Sequence, residues 1–161
     1  MASQAQSMEL IPEEIQRIAK GSFPKGKESL ALKLRDALEP IYQDKEVAHL
    51  FPQPDQSIYT PWRLAIITVL QAAAHYSDMR AAEMVQSRMD WRYALSLPFV
   101  AIEFEASVLT NFRRQLIELG AQDLVLEPIL QVCREHGWLK MRGKKHIDAT
   151  IVLSSIAKDN W

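Results

Sequence analysis

Apolar residues recur at helical spacing along most of this chain. Leu30, Leu34 and Leu38 follow one another at intervals of four residues, and the stretch 62–75 is apolar on nearly every face. Such spacing predicts amphipathic helices packed around one central, buried helix. The expected helices cover residues 12–20, 27–38, 44–51, 62–75, 78–89, 90–97, 107–119 and 122–136, with Pro128 expected to kink or restart the last one.

Capping residues mark several of these boundaries. Thr60 precedes Pro61, which suits the first position of a helix, and Ser77 precedes Asp78, an acidic residue favoured in a first turn. Gly120 suits the left-handed end of the helix that Ser107 opens. In that helix the pattern separates two faces, with Arg113 at their border. The inward residues are Leu109, Phe112, Leu116 and Leu119, and the outward residues are Asn111, Arg114, Gln115 and Glu118.

A strand pattern is found only near the end of the chain, where His146-Ile-Asp-Ala-Thr-Ile-Val-Leu153 is rich in β-branched residues. Alternate side chains of a strand face opposite ways, so Asp148 is expected to point away from the packed side that holds Ile147 and Ala149. The predicted fold class is mostly α: a helical bundle followed by a short C-terminal strand or hairpin.

Composition sets broad limits on function. The 161 residues, 48% of them hydrophobic, suit one domain or one domain plus a fragment. With 19 basic and 20 acidic residues, attraction to nucleic acid must come from local clusters. The single cysteine, Cys133, cannot form an internal disulfide and is expected to be buried and inert. Neither a signal peptide nor a membrane span is recognisable, so we expect a cytoplasmic protein without a membrane partner.

Four segments, in this order, carry a family resemblance. They are Pro61-Trp-Arg-Leu-Ala65, the stretch from Ser77 to Leu97, Ser107-Val-Leu-Thr-Asn-Phe-Arg-Arg-Gln-Leu116 and Asp148-Ala-Thr-Ile-Val-Leu153. Together they resemble the N-terminal domain of bacterial insertion-sequence transposases of the InsH type, over roughly residues 40–157. The helical spacing and the Pro52-Gln-Pro54 loop predict an N-terminal helical arm over residues 1–55, and the resemblance implies a DNA-binding domain over 56–138 and the start of a catalytic core over 139–161.

The resemblance also implies a chemistry. The DNA-binding domain would be helix-turn-helix-like, and the core would be a ribonuclease-H-like fold in which two aspartates and a glutamate hold two Mg²⁺ ions for phosphoryl transfer. Asp148 matches the first of these acids, as a catalytic and metal-binding residue. The other two would lie further downstream, so the core is expected to be truncated here and the chain inactive by itself.

Duplex DNA, in the form of the terminal inverted repeats of the element, is the implied partner. The candidate contacts are Arg80, Arg88, Arg92, Asn111, Arg113, Arg114, Lys140, Arg142, Lys144 and Lys145. Arginine suits phosphate and guanine, and asparagine suits adenine in a major groove. The alternative interpretation is that these side chains are solvated helix faces, because Asp78, Asp90, Glu118 and Asp123 are close in sequence.

Two other functions remain open at this level. The Leu30, Leu34 and Leu38 stripe and the apolar helix 62–75 could serve a self-association module, and a homodimer would suit a protein that handles two element ends. The other alternative is an inert remnant of an insertion element, in which an unpaired strand at 147–153 would promote aggregation.

Overall fold

The computed structural model describes residues 10–38, 58–141 and 146–160, and within these ranges the secondary structure is entirely helical. The helices are α1 (Glu13–Gly21), α2 (Leu30–Leu38), α3 (Pro61–Ala74), α4 (Asp78–Ser87), α5 (Met89–Ala94), α6 (Ala106–Glu118), α7 (Gln122–His136) and α8 (Ala149–Asp159). The prediction of a mostly helical protein is confirmed. The helix expected at 44–51 lies outside the described residues.

Helix α3 lies at the centre of the fold. Every residue from Pro61 to Ala72 is buried, as expected for a helix that is apolar on all sides. It packs against α4, α6, α7 and α8, and the side chains of these helices form one continuous core around it. The apolar stretch that could have served self-association is therefore buried in the core of the chain itself.

The capping residues work largely as the sequence predicts. The Ser77 hydroxyl accepts a hydrogen bond from the backbone N–H of Arg80, which caps α4. Gly120, just after the C-cap of α6, has a φ of 61° in the left-handed region, whereas the Thr60 side chain makes no capping hydrogen bond to α3. Helix α7 ends at Gly137, whose φ of 66° is also left-handed. The same helix runs through Pro128 as one element, so the expected restart does not occur. Leu119, expected on the inward face of α6, is instead half exposed at the C-cap of that helix.

The N-terminal helices α1 and α2 pack mainly on α5. A second, smaller core forms between them from Ile11, Ile15, Ala19, Leu32 and Tyr93. Leu34 and Leu38 of α2 belong to the main core, and Leu30 packs against it. That core also includes residues of α3–α7 and of α8, so side chains from all three predicted segments meet in it. The boundaries proposed between those segments stay predictions.

The C-terminal strand prediction is wrong for the described residues, because 149–159 form helix α8. Asp148 is the N-cap of this helix, and its carboxylate accepts a hydrogen bond from the backbone N–H of Ile151 at 2.9 Å. Ala149, Val152, Leu153 and Ile156 are buried, a spacing of three, one and three that fits one helix face. Packing of that face on α3 and α7 outweighs the β-propensity of the branched residues.

The expected helix-turn-helix is likewise not supported within the described residues. Only Arg88 separates α4 from α5. In α5, every residue from Asp90 to Ala94 is buried, so this helix offers no face that could enter a DNA groove. None of the helices in the described part of the chain is long and apolar enough to cross a membrane.

Candidate nucleic-acid interface

Helices α4 and α6 lie antiparallel and are joined at both ends of α4. Near its C-terminus, the side-chain amide of Gln86 donates to the carbonyl of Phe104, just before α6 begins. At its N-terminus, the Asp78 carboxylate accepts two hydrogen bonds from Arg113, at 2.7 and 2.8 Å, and one from the Thr110 hydroxyl at 2.8 Å. The two helices therefore form one rigid pair.

Asp78 is the centre of this junction. Its carboxylate also accepts a hydrogen bond from the Gln71 amide of α3, and its backbone N–H donates to the Asn160 side chain at the end of α8. Burial acts to raise the pKa of the Asp78 carboxyl, but hydrogen bonds from Arg113, Gln71 and Thr110 outweigh burial and hold the pKa below its ordinary value. The carboxylate thus stays charged and links α4 to α3 and α6, while the backbone N–H of Asp78 links α4 to the end of α8.

Three of the predicted DNA contacts are already engaged within the protein. Arg113 has 12% of its side chain exposed and gives both terminal nitrogens to Asp78. Arg88 binds Asp90 through two hydrogen bonds, at 2.9 and 2.6 Å, and these raise its pKa despite partial burial. Arg92 is buried and donates to the carbonyls of Gln86, Pro98 and Val100, so it organises the loop after α5.

Three others remain accessible on the rigid pair. Asn111 is exposed, and the side chains of Arg80 and Arg114 are 56% and 63% exposed. Arg80 contacts Glu83 at 3.0 Å and Arg114 contacts Glu118 at 3.8 Å, both as ion pairs along one helix. Such exposed pairs contribute only about 0.3–0.5 kcal/mol each, so another anion can replace the glutamate. Arg80 follows Asp78 by two residues on α4, and Arg114 follows Arg113 by one residue on α6, so each helix carries one exposed arginine near the Asp78–Arg113 pair.

The basic cluster near residue 140 is described only in part. Lys140 is exposed between α7 and α8. Arg142, Lys144 and Lys145 lie outside the described residues. Their proposed contacts with DNA stay predictions.

The residues that the structure describes do not form a two-metal centre. Asp148, the predicted catalytic and metal-binding residue, is half-buried and caps α8. Within the described ranges, no group of three or more histidine, cysteine, aspartate or glutamate side chains could hold a metal ion. A pair of Mg²⁺ ions needs several carboxylate ligands, so no catalytic step can be derived through Mg²⁺ from these residues. The role of Asp148 in a complete parent enzyme stays a prediction.

Sequence reasoning missed what buried arginines do in this fold. Arg35 donates to the Ala94 carbonyl and the Ser96 hydroxyl, and Arg63 donates to the Leu95 carbonyl. Both guanidinium groups lie over the Trp62 ring. The carbonyls of Ala94 and Leu95 are more than thirty residues away from these arginines, a pairing that no local pattern encodes. The position of Arg63 inside the apolar stretch 61–72 was the available indication of burial.

The chain matches a known family over a stretch that includes α4 and most of α6. The model of the family described as Transposase domain (DUF772) matches residues 21–115, more than half of the chain. The match covers α2 to α5 and α6 as far as Gln115, whereas α7 and α8 lie beyond it. No curated protein and no solved structure gives a significant match. The chain therefore belongs to the Transposase domain (DUF772) family, which points to a role in DNA transposition.

Proposed function

We propose that this chain is a DNA-binding part of an insertion-sequence transposase of the InsH type, and that the exposed face of the α4–α6 pair meets the DNA. The observation that carries the proposal is the contrast between neighbouring arginines. Arg113 is fixed by Asp78, while the side chain of Arg114, next to it on α6, and that of Arg80 on α4 are more than half exposed. Membership of a transposase family supplies the reason to expect DNA as the partner.

The chemistry of the face suits a duplex. Arg80 and Arg114 would contact phosphates, since a planar guanidinium donates two parallel hydrogen bonds to a phosphate group. Asn111 lies one turn before Arg114 on α6 and would contact a base edge, where asparagine matches adenine. The Asp78 junction would hold the two helix backbones in register, so that little backbone entropy is lost on binding.

A salt titration tests this proposal. The protein would be titrated into a labelled duplex that carries the terminal inverted repeat of its element, at several salt concentrations, with fluorescence anisotropy as the readout. We expect affinity to fall steeply with salt, because each phosphate contact releases counterions. The paired change Arg80→Gln with Arg114→Gln should lower the slope of log K against log salt by about two, roughly one per lost contact.

A matched control distinguishes a contact at the α4–α6 face from a general effect of lost positive charge. Arg17→Gln with Lys27→Gln also removes two exposed positive charges, from α1 and the loop after it, and should leave the slope nearly unchanged. Asn111→Ala should reduce the preference for the repeat over unrelated duplex more than it reduces overall binding. If wild-type protein shows no affinity for duplex DNA even at low salt, the proposal is wrong.

Self-association is a second candidate, favoured by one apolar patch. Ile117, Leu119 and Leu124 are exposed around the turn from α6 to α7, with Ile117 61% exposed. Exposed apolar patches often mark contacts between proteins. Sedimentation equilibrium would test this candidate, which predicts a dimer in the absence of DNA that Leu124→Lys abolishes.

A further inference from the structure

A groove of about 580 Å³ runs along helix α8, outside the α4–α6 face. One wall is a row of side chains on α8, formed by Thr150, Ser154 and Lys158, all of them exposed. These residues are spaced by four, so they lie along one stripe of the helix. Met141 and His75 line the groove as well. Hydroxyls and an ammonium group in a row are donors suited to a run of phosphate oxygens.

We infer that this groove holds the sugar-phosphate backbone of the same DNA duplex that the α4–α6 face is proposed to bind. The inference rests on the proposed function and extends it to a second surface. Eight residues of helix span about 12 Å. Neighbouring phosphates of one strand are farther apart than their axial rise of about 3.4 Å, because the strand winds around the axis, so the row would reach about two of them.

The groove adjoins the α4–α6 junction directly. Asn160, one residue beyond α8, accepts a hydrogen bond from the backbone N–H of Asp78 at 2.9 Å. His75, on the groove wall, lies three residues before Asp78, and its Nδ1 is 3.4 Å from a carboxylate oxygen of Asp159. The end of α8 and the start of α4 are therefore adjacent, and the inference requires that one duplex reach both surfaces.

The formal charges of Lys158 and Asp159 in the groove cancel, so the proposed contact depends on hydroxyl donors and on the position of Lys158. Lys158 carries a positive charge, while the negative charge of Asp159 faces His75. Hydroxyl donors make up the rest of the row. The groove is thus suited to positioning a DNA backbone, with sequence discrimination left to the α6 side chains.

Two substitutions on exposed positions test the inference by anisotropy titration against the inverted-repeat duplex. Lys158→Gln should lower the salt slope by about one and weaken binding roughly fivefold to tenfold at 0.1 M salt. Ser154→Asp, which places a negative charge beside the phosphates, should weaken binding by about tenfold. Matched controls are Lys27→Gln, which removes one positive charge, and Gln16→Glu, which adds one negative charge on α1.

The outcomes separate the two proposals. Losses confined to Lys158→Gln and Ser154→Asp, with unfolding free energies unchanged, support the groove as a backbone contact. If wild-type protein binds the duplex and both groove variants behave like their controls, the groove inference is overturned while the α4–α6 proposal stands. Absence of any duplex binding by the wild-type protein overturns both.

Discussion

The change Arg113→Met tests whether the ion pair of Arg113 with Asp78 stabilises the folded protein. It removes two charge-assisted hydrogen bonds to Asp78, at 2.7 and 2.8 Å, and leaves a carboxylate in a site where 10% of its side chain is exposed. Removing one partner of a buried ion pair costs about 3–5 kcal/mol. Gln71 and Thr110 still donate to Asp78, and some solvent reaches it, so we expect a loss of about 2–4 kcal/mol.

Urea denaturation followed by circular dichroism measures this loss as the change in unfolding free energy. Arg114→Met is the matched control, because it changes the same residue type one position away, where the side chain is 63% exposed. Its effect should be under about 0.5 kcal/mol. Asp78→Asn combined with Arg113→Met should recover part of the loss, since no charge remains unpaired. Equal stability of Arg113→Met and Arg114→Met would refute the reasoning.

Three further predictions concern the side chains of Asp78, Cys133 and Asp148. The pKa of Asp78 in the folded protein lies below its ordinary value of 3.8. Its contribution to stability should therefore be complete above about pH 5 and be lost as the pH falls through the folded pKa. Acid unfolding of Asp78→Asn should accordingly be less steep than that of wild type. Burial raises the pKa of the Cys133 thiol to about 11, so iodoacetamide at pH 8 should alkylate it only after unfolding, as mass spectrometry would report. Asp148→Ala removes the cap of α8 and should cost about 1 kcal/mol in urea denaturation while leaving DNA affinity nearly unchanged; a large loss of affinity would contradict its assignment away from docking.

Much of the helical framework could be read from local patterns. Ser77 caps α4 and Gly137 ends α7 because each supplies a conformation or an acceptor that a helix terminus requires, whatever the rest of the fold does. The all-apolar stretch at Pro61–Ala74 likewise had to be central, because no face of it suits water.

Helix α8 shows where local pattern alone was insufficient. Its β-branched residues favour a strand, yet Asp148 can cap a helix and the apolar positions also fit a helical stripe. The same short sequence thus fitted both the alternating pattern of a strand and the apolar spacing of a helix. The available surface of α3 and α7, which offers a groove for a helix and no strand edge to pair with among the described residues, decided between them.

The candidate site divides in the same way. The sequence by itself predicted that Arg113 lies at the border and Arg114 on the outward face of one helix. It also showed that the net charge of the chain is only −1. Only the tertiary structure decided that Asp78, 35 residues earlier, holds one of them and leaves the other in solvent. The physical reason is that helix periodicity fixes the direction in which a side chain points, whereas its partner depends on which element packs opposite.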